Sequence, residues 1–152
     1  MIILRAPELH ELPAASELCL RSKAYWGYDA DFMSACVEEL TLTKDDIAQD
    51  LVVLAWDDDA IVGVAQVSDG ADGCYLEKLF VEPAQMGNGV GRKLFDWSRS
   101  AGAQLGARQI IVEADPEAVP FYKAMHCKDA GSAPSSSIPG RILPRLVCEI
   151  DD

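Results

Sequence analysis

A glycine-rich turn between a strand pattern and a helix pattern constrains this chain more than any other feature. It lies in residues 79–95, which read Leu-Phe-Val-Glu-Pro-Ala-Gln-Met-Gly-Asn-Gly-Val-Gly-Arg-Lys-Leu-Phe. Glycine permits tight turns and leaves the backbone N–H groups uncovered. At a helix N-terminus, these groups and the helix dipole favour a bound anion. The stretch therefore predicts a phosphate-binding turn, to which Arg92 and Lys93 add positive charge.

The glycine spacing argues against two common phosphate-binding motifs. A P-loop requires Gly-Lys followed by Ser or Thr, whereas Gly91 is followed by Arg-Lys-Leu. A dinucleotide-binding motif needs a third glycine at the position of Arg92, and it follows its strand almost directly. Here residues 82–86 intervene. A dinucleotide-dependent oxidoreductase, with Glu113 or Asp115 as the acid that binds ribose, is therefore the weaker reading.

Length and composition predict one soluble globular domain. The chain has 152 residues, of which 49% are hydrophobic and 25% are charged. This length suffices for one buried core, and the composition is ordinary for a globular protein. Because we find neither repeats nor a linker, we expect residues 1–152 to form a single domain. The N-terminus has no long apolar run, so we expect neither secretion nor a membrane span.

The charge and the metal-binding residue types limit the partners of the chain. A net charge of −12 argues against nucleic acid as a partner, because phosphates require a basic face. It suits a cationic amine, although a solvated acidic surface explains the charge equally well. The five cysteines include no Cys-x-x-Cys pair, so we expect free, mostly buried thiols in a reducing cytoplasm. With only two histidines, we expect no metal site.

Hydrophobic periodicity predicts alternating helices and strands. Strands are predicted at residues 2–5, 51–56, 61–67, 74–81, 109–113 and 141–150. Helices are predicted from Pro13 to about residue 24, and over 29–40, 90–105 and about 115–125, with a helix start at Thr43 and a loop-rich segment before residue 141. Short polar turns join the three strands of residues 51–81 into an antiparallel meander. A strand-helix-strand crossover implies that strands 74–81 and 109–113 are parallel.

Two motifs in this order resemble those of the GNAT superfamily of N-acetyltransferases. The first is Val81-Glu82-Pro83 followed by the three alternating glycines, which is similar to the acetyl-CoA-binding motif of that family. The second is residues 115–122, Asp-Pro-Glu-Ala-Val-Pro-Phe-Tyr. The family has Asn, Ala and Tyr at the places of Asp115, Ala118 and Tyr122. The resemblance covers about residues 79–125 well and the two ends loosely.

The resemblance implies a GNAT fold, which is an α/β fold. Its sheet is mixed and mostly antiparallel, with a central parallel strand pair and helices on both faces. The implied activity is transfer of the acetyl group of acetyl-CoA, as co-substrate, to an acceptor amine by direct attack and without a metal. The implied co-substrate-binding residues are Leu79, Phe80, Val81, Met86, Gly87, Asn88, Gly89, Val90, Gly91, Arg92, Asp115 and Phe121.

Two positions depart from the family pattern. Met86 stands where the family usually has Arg or Gln before the first glycine, and Gln85 lies one place earlier. This change keeps the backbone cradle but removes one side-chain contact to the pyrophosphate. Asp115 replaces an Asn, so a carboxylate that only accepts hydrogen bonds replaces an amide that can donate. Both departures favour an alternative function, a non-catalytic CoA-binding regulatory domain of the same fold.

The resemblance assigns the catalytic acid to Tyr122. Its phenol can donate a proton or a hydrogen bond to the leaving thiolate. The other interpretation is a core aromatic residue next to Phe121. A backbone N–H near Phe80 or Val81 is expected to stabilise the oxyanion that forms on the thioester.

Glu77 is the candidate base. It lies two residues before Leu79 on the strand 74–81, so strict alternation predicts that it shares a face with Leu79 and Val81. A carboxylate there could take the amine proton directly or through water. The alternative, an ordinary surface residue of a strand, has equal weight.

The acceptor site is predicted where the first helix ends. Trp26 and Tyr28 follow that helix, in the region where the family builds its acceptor site, and aromatic faces attract cations. A packing role explains them equally well. The expected acceptor is a small-molecule or peptide amine, and a homodimer is an allowed assembly.

Overall fold

A seven-stranded sheet forms the centre of the protein in a computed structural model, which describes residues 1–150. The strands are β1 (Ile2–Arg5), β2 (Leu51–Asp57), β3 (Ala60–Ser68), β4 (Cys74–Val81), β5 (Gln109–Glu113), β6 (Lys128–Pro134) and β7 (Ile142–Glu149). The helices are α1 (Leu12–Ala24), α2 (Ala30–Leu40), α3 (Lys44–Gln49), α4 (Val90–Gln104) and α5 (Val119–Ala124). The strand order is β1-β2-β3-β4-β5-β7-β6, and only β4 and β5 pair in parallel. The predicted mixed, mostly antiparallel sheet with a central parallel pair is confirmed.

Local sequence signals set the helix starts. Asp29 caps α2 by accepting a hydrogen bond from the Phe32 N–H. Thr43 and Asp46 form a reciprocal capping box at α3. Each cap satisfies an N–H group that has no partner within the helix. The helix starts predicted from these residues are confirmed.

The helices cover both faces of the sheet. On one face, α1 and α2 pack against β2 and β3 through Leu18, Leu40 and Leu54, all at most 5% exposed. On the other face, Leu94 of α4 packs against the same strands, and Phe95 joins the core beneath α5. The two helix layers therefore flank the central strand β4 from opposite sides.

The parallel pair separates after two residues. β4 and β5 pair only at Cys74 with Ile110 and at Tyr75 with Ile111. Beyond this point, β4 stays paired with β3 as far as Val81, while β5 stays paired with β7. A gap therefore opens between the carboxyl ends of β4 and β5, at the edge where the glycine turn begins.

Two predicted segments differ from the structure. The loop predicted before residue 141 contains β6, an edge strand whose small or polar, largely exposed residues lack the apolar alternation that marks a strand. Its register also shifts between Asp129 and Ser132. The helix predicted over residues 115–125 is a 3₁₀ turn at Pro116–Ala118 followed by α5, and Pro120 lies in the first turn of α5 as expected.

Within residues 1–150, no helix combines the length and the apolar character that crossing a bilayer requires.

Candidate functional site

A cavity of about 460 Å³ fills the gap between β4 and β5. Its first part, the glycine-turn half, lies toward α4 and α5 and is lined by Met86, Gly87, Gly89, Gly91, Arg92, Ala118, Phe121 and Tyr122. Its second part, the α1–α2 half, is lined by Ser22, Lys23, Trp26, Cys36, Glu39, Leu40, Ser135, Ser137 and Arg141. Residues 76–81 of β4 and 112–115 at the end of β5 line the gap between the halves.

The glycine turn has the geometry of an anion-binding loop. Gly87 and Gly89 have φ of 87° and 84°, a region that favours glycine, and Gly89 caps α4. No atom lies within 4 Å of the position that a Cβ would take at either residue. The first N–H groups of α4 have no acceptor within a helix. Within residues 1–150, neither the backbone nor a side chain accepts from the N–H groups of residues 89–92. These groups can therefore bind a phosphate oxygen.

The third glycine has a different role. A Cβ at Gly91 would lie 3.1 Å from Cε1 of Phe121, which is tighter than ordinary van der Waals contact. Phe121 in turn meets Phe95 and Tyr122 edge to face, with ring centroids 6.4 and 5.1 Å apart. Gly91 thus lets α4 approach α5 closely and fixes the aromatic wall of this half.

Two predicted co-substrate residues do not line the cavity with their side chains. Val90 is 1% exposed and packs in the core beneath α4. Asn88 donates a hydrogen bond to Gln85 Oε1, and Gln85 donates to Asp57 on β2. Only the backbone of Val90 therefore remains available at the turn, while Asn88 and Gln85 connect the turn to the sheet.

The edge of β4 offers backbone donors to the gap. The Glu82 N–H donates to the Val62 carbonyl of β3 at 2.9 Å. Because successive N–H groups of a strand point in opposite directions, the Phe80 N–H also points toward β3. The N–H groups of Leu79 and Val81 then point into the gap. Of the two residues considered from sequence, Phe80 and Val81, it is Val81 whose N–H group points into the gap.

Tyr122 packs in the core and also lines the cavity. Its side chain is 6% exposed, and its ring packs edge to face on Phe95 at 5.9 Å. Burial raises the pKa of the phenol, and the negative charges of Cys127 and Asp115 would raise it further. The hydroxyl is therefore protonated at neutral pH and can donate a hydrogen bond or a proton.

A β-bulge changes the placement of Glu77. Gln66 of β3 lies opposite Lys78, whereas the next residue, Val67, lies opposite Leu76. Glu77 is thus the extra residue of β4. A bulge of this kind interrupts the alternation of side chains along the strand.

The face predicted for Glu77 was wrong for this reason. Glu77 Oε1 accepts a hydrogen bond from Ser68 at 2.9 Å, and Lys78 donates to Gln66 at 2.9 Å. Ser68 and Gln66 share a face of β3 by alternation. Glu77 therefore lies with Lys78 on the face of α1 and α2, and not with Leu79. It is exposed and lines the gap.

Asp115 forms the centre of a partly buried ionic cluster. It accepts from Lys23 Nζ at 2.7 Å and from the Tyr28 hydroxyl at 2.8 and 2.9 Å. It also accepts from the Glu117 N–H at 2.9 Å, and Arg141 Nη2 lies 3.6 Å away. We call Lys23, Tyr28, Asp115 and Arg141 the Asp115 cluster.

The Asp115 cluster favours the ionised carboxylate. Burial alone would raise the pKa of Asp115, but the hydrogen bonds from Lys23, the Glu117 N–H and Tyr28 outweigh it and lower the pKa. Burial and the bond to the carboxylate raise the pKa of Tyr28 to about 12. Both groups are therefore fixed in one protonation state at neutral pH.

The two predicted acceptor residues lie in different surroundings. Trp26 lines the α1–α2 half and is 39% exposed. Tyr28 is not among the lining residues. Its ring stacks on Phe32 at 4.0 Å, and Lys23 and Arg141 lie 5.3 and 5.2 Å from its centroid. Tyr28 thus holds the two cations in place.

Sequence reasoning missed the two cations on the wall of the α1–α2 half. Lys23 and Arg141 are 118 positions apart, and no local pattern relates them. The serine-rich segment before Arg141 predicted a loop, and nothing in its sequence indicated that this loop lies over the cavity. Ser136 donates to Glu39 of α2, which brings the β6–β7 connection over the cavity.

All five cysteines are free and buried, as predicted. Burial raises the pKa of Cys19 and of Cys127 to about 12 and raises that of Cys74. Cys36 lines the cavity and lies 3.9 Å from Ser137 Oγ. Thiolates are the nucleophilic form of cysteine, so the three thiols with raised pKa are poor nucleophiles.

Outside the cavity, one set of three side chains has its potential metal-ligand atoms close together. The ligand atoms of Glu8, His10 and Glu11 lie within 4.8 Å of one another. Glu11 is already held by Arg5 at 3.1 and 3.3 Å and by the Glu8 N–H. These contacts explain the arrangement as a helix cap and an ion pair.

Solved structures with a similar fold include several N-acetyltransferases. PaiA N-acetyltransferase from Thermoplasma acidophilum, in complex with coenzyme A, is 13% identical with a TM-score of 0.80, over 98% of this chain and 99% of its own. The ribosomal-protein-S18-alanine N-acetyltransferase from Escherichia coli is 17% identical with a TM-score of 0.71, over 100% and 96%. An aminoglycoside 6'-N-acetyltransferase in complex with coenzyme A is 17% identical with a TM-score of 0.74, over 100% and 98%. No curated protein sequence matches significantly.

The family model for the acetyltransferase (GNAT) domain matches residues 22–132. This match includes the glycine turn, the gap and the Asp115–Tyr122 segment. The chain belongs to the GNAT acetyltransferase family.

Proposed function

We propose that this protein is an N-acetyltransferase that moves the acetyl group of acetyl-CoA to the amine of a small molecule or peptide. One observation carries the proposal. An anion-binding glycine turn, a strand edge with free donors and a buried protonated tyrosine all line one cavity. Reduced, buried thiols suit a protein of the cytoplasm.

The residues of the glycine-turn half fit the co-substrate. The N–H groups at the start of α4 would hold the pyrophosphate, with Arg92 as the nearest cation on the cavity wall. The pantetheine arm would follow the edge of β4, where the Leu79 and Val81 N–H groups lack a strand partner. Met86 and Phe121 would pack against its apolar portion. Asp115 is held by its own cluster and would contribute little to that arm.

The reaction proposed is direct attack by a neutral amine. The nitrogen lone pair forms a bond to the thioester carbonyl carbon, and the carbon–sulfur bond breaks. The Val81 N–H stabilises the negative charge that develops on the carbonyl oxygen. Tyr122 donates its proton to the leaving thiolate, and the amine loses one proton, so the proton count balances.

Glu77 is the proposed acceptor of the amine proton. It lies on the face of α1 and α2, from which an amine in that half of the cavity would approach β4. Its hydrogen bond from Ser68 fixes one carboxylate oxygen and leaves the other for a water or the amine. An acyl-enzyme route through a cysteine is not needed.

The test is amine-dependent release of CoA thiol. The protein is mixed with acetyl-CoA and a panel of primary amines, amino acids and short peptides, and mass spectrometry identifies the acetylated product. We expect at least one amine to accelerate thiol release and to appear acetylated. Acetyl-CoA binding without any amine-dependent release would support the CoA-binding regulatory domain instead, which the occupied carboxylate of Asp115 favours.

A further inference from the structure

The α1–α2 half of the cavity has two cations on its wall, although the protein is strongly acidic and Glu39 also lines this half. Lys23 and Arg141 lie on its wall, with side chains only 14% and 18% exposed. Among the carboxylates of residues 1–150, Asp115 is the one that both contact, at 2.7 and 3.6 Å. The Asp115 cluster therefore keeps one formal positive charge. A positive charge held in a mostly buried wall attracts an anion more strongly than the same charge in water does.

The guanidinium of Arg141 is held in place but only partly used. Within residues 1–150, its hydrogen bonding involves only Nη2, which donates to the Tyr28 hydroxyl at 2.9 Å. Its carbon Cζ lies 4.8 Å from the centroid of the Phe32 ring and 5.2 Å from that of Tyr28. A guanidinium has five N–H donors and two bidentate edges, Nε–Nη2 and Nη1–Nη2. Because Nη2 uses one of its two hydrogens for Tyr28, one of these edges remains available to the cavity. Neither Nε nor Nη1 is a buried donor without a partner.

A serine turn adds donors beside Arg141. Ser135 Oγ accepts from the N–H groups of Ser137 and Ile138 at 3.3 and 3.1 Å, which leaves its own hydrogen free to donate. Ser135 and Ser137 both line the same half of the cavity. The wall thus presents a guanidinium edge, an ammonium and hydroxyl groups together.

We propose that the acceptor is an amino acid-like molecule whose carboxylate is bound by the free edge of Arg141, with Lys23 and Ser135 beside it. This inference rests on the proposed acetyl transfer and names its substrate class. The planar guanidinium edge matches a carboxylate in two parallel hydrogen bonds. The Asp115 cluster carries one net positive charge, which matches a carboxylate monoanion better than a phosphate dianion. An anchored carboxylate would direct the neighbouring amine toward β4.

The first experiment measures binding without turnover. Protein saturated with CoA is titrated with N-acetylglycine, N-acetyl-L-leucine and N-acetyl-L-phenylalanine, and with the primary amide of each, by calorimetry. We expect at least one acid to bind about tenfold or more tightly than its amide, the effect of one charge-assisted contact. Equal binding of acids and amides, or no binding of any acid, would overturn the inference.

Variants then assign the effect to Arg141. Arg141→Gln should abolish the preference for the acid, whereas Arg141→Lys, which keeps the charge, should retain part of it. Arg108→Gln removes an exposed arginine outside the cavity and should leave the preference unchanged. If Arg141→Gln still preferred the acid, the site would lie elsewhere. If neither Arg141 variant folds, the comparison of acid with amide in the wild-type protein decides.

The same compounds separate this inference from the proposed function. The unacetylated amino acids and their amides are compared as acceptors by kcat/KM. Transfer that is equal for both, or faster to the amides, overturns the carboxylate site and leaves the acetyltransferase standing. Acid-selective binding without transfer to any amine contradicts the acetyltransferase and leaves the anion site standing.

Discussion

The hydroxyl of Tyr28 donates to both carboxylate oxygens of Asp115, at 2.9 and 2.8 Å, across 87 positions of the chain. This contact joins the segment after α1 to the turn after β5. Lys23 and Arg141 extend it to α1 and to the start of β7. The walls of the α1–α2 half are therefore held together at one carboxylate, so changes at Asp115 should affect both stability and the acceptor site.

Asp115→Asn should reduce stability in a pH-dependent manner. The pKa of Asp115 is lowered in the folded protein, so its ionised form contributes stability above the pKa of the unfolded chain. That contribution is lost as the pH falls through the folded pKa. We expect the variant to lose about 2–3 kcal/mol of unfolding free energy at pH 7, because two partly buried cations lose their charged partner. The difference should shrink below about pH 4.

Urea denaturation across this pH range measures the effect. Asp129→Asn is the control, since Asp129 forms an exposed pair with Lys123 at 3.2 Å and should matter little. A loss for Asp115→Asn that is the same at pH 3 and pH 7 would mean that the ion pair does not carry it.

Gly89→Val should sharply weaken CoA binding. Gly89 has φ of 84°, and a β-branched side chain would be strained there and would fill the space in front of the N–H groups. Gly106→Val is the matched control. Gly106 has φ of 81° and open space for a Cβ, but it lies beyond the far end of α4.

Both glycine variants should lose similar stability, and only Gly89→Val should lose affinity for CoA in calorimetry. Unchanged CoA affinity in a folded Gly89→Val protein would place the pyrophosphate elsewhere.

Trp26→Ala should raise the KM for the acceptor by up to about tenfold, or about 1.4 kcal/mol. Trp26 is 39% exposed on the cavity wall, so its loss should leave the protein folded and the affinity for acetyl-CoA unchanged. Tyr25→Ala is the control, because Tyr25 contacts Trp26 edge to face but does not line the cavity. Unfolding of Trp26→Ala would show a packing role, and an unmoved KM would place the acceptor elsewhere.

The sequence predicted the parts of the fold that depend on neighbours along the chain. The glycine turn, the capping box at Thr43 and the apolar stripe of α4 are all local patterns, and each lies where expected. The parallel pair followed from the crossover rule. Local periodicity could not predict β6, because an exposed edge strand has no buried face to mark it.

Apart from Trp26, the lining of the candidate site was predictable only along β4 and in its glycine-turn half. In that half, backbone N–H groups form the candidate phosphate site, and the spacing of the glycines indicates it in the sequence. In the α1–α2 half, the contacts of Lys23 and Arg141 with Asp115 span 92 and 26 positions, and they depend on how β4 and β5 separate. The bulge at Glu77 was equally hidden, since the two adjacent polar residues between Leu76 and Leu79 do not show which of them is the extra one.

The rate of acetyl transfer by Tyr122→Phe tests the central claim most directly. The change removes one hydroxyl and little volume from a ring whose packing on Phe95 should remain. If Tyr122 protonates the leaving thiolate, kcat should fall by about a hundredfold while the affinity for acetyl-CoA stays nearly constant. Tyr25→Phe, which removes the hydroxyl of an exposed tyrosine, should change neither value. A rate for Tyr122→Phe equal to that of the wild-type protein at every pH would contradict the account.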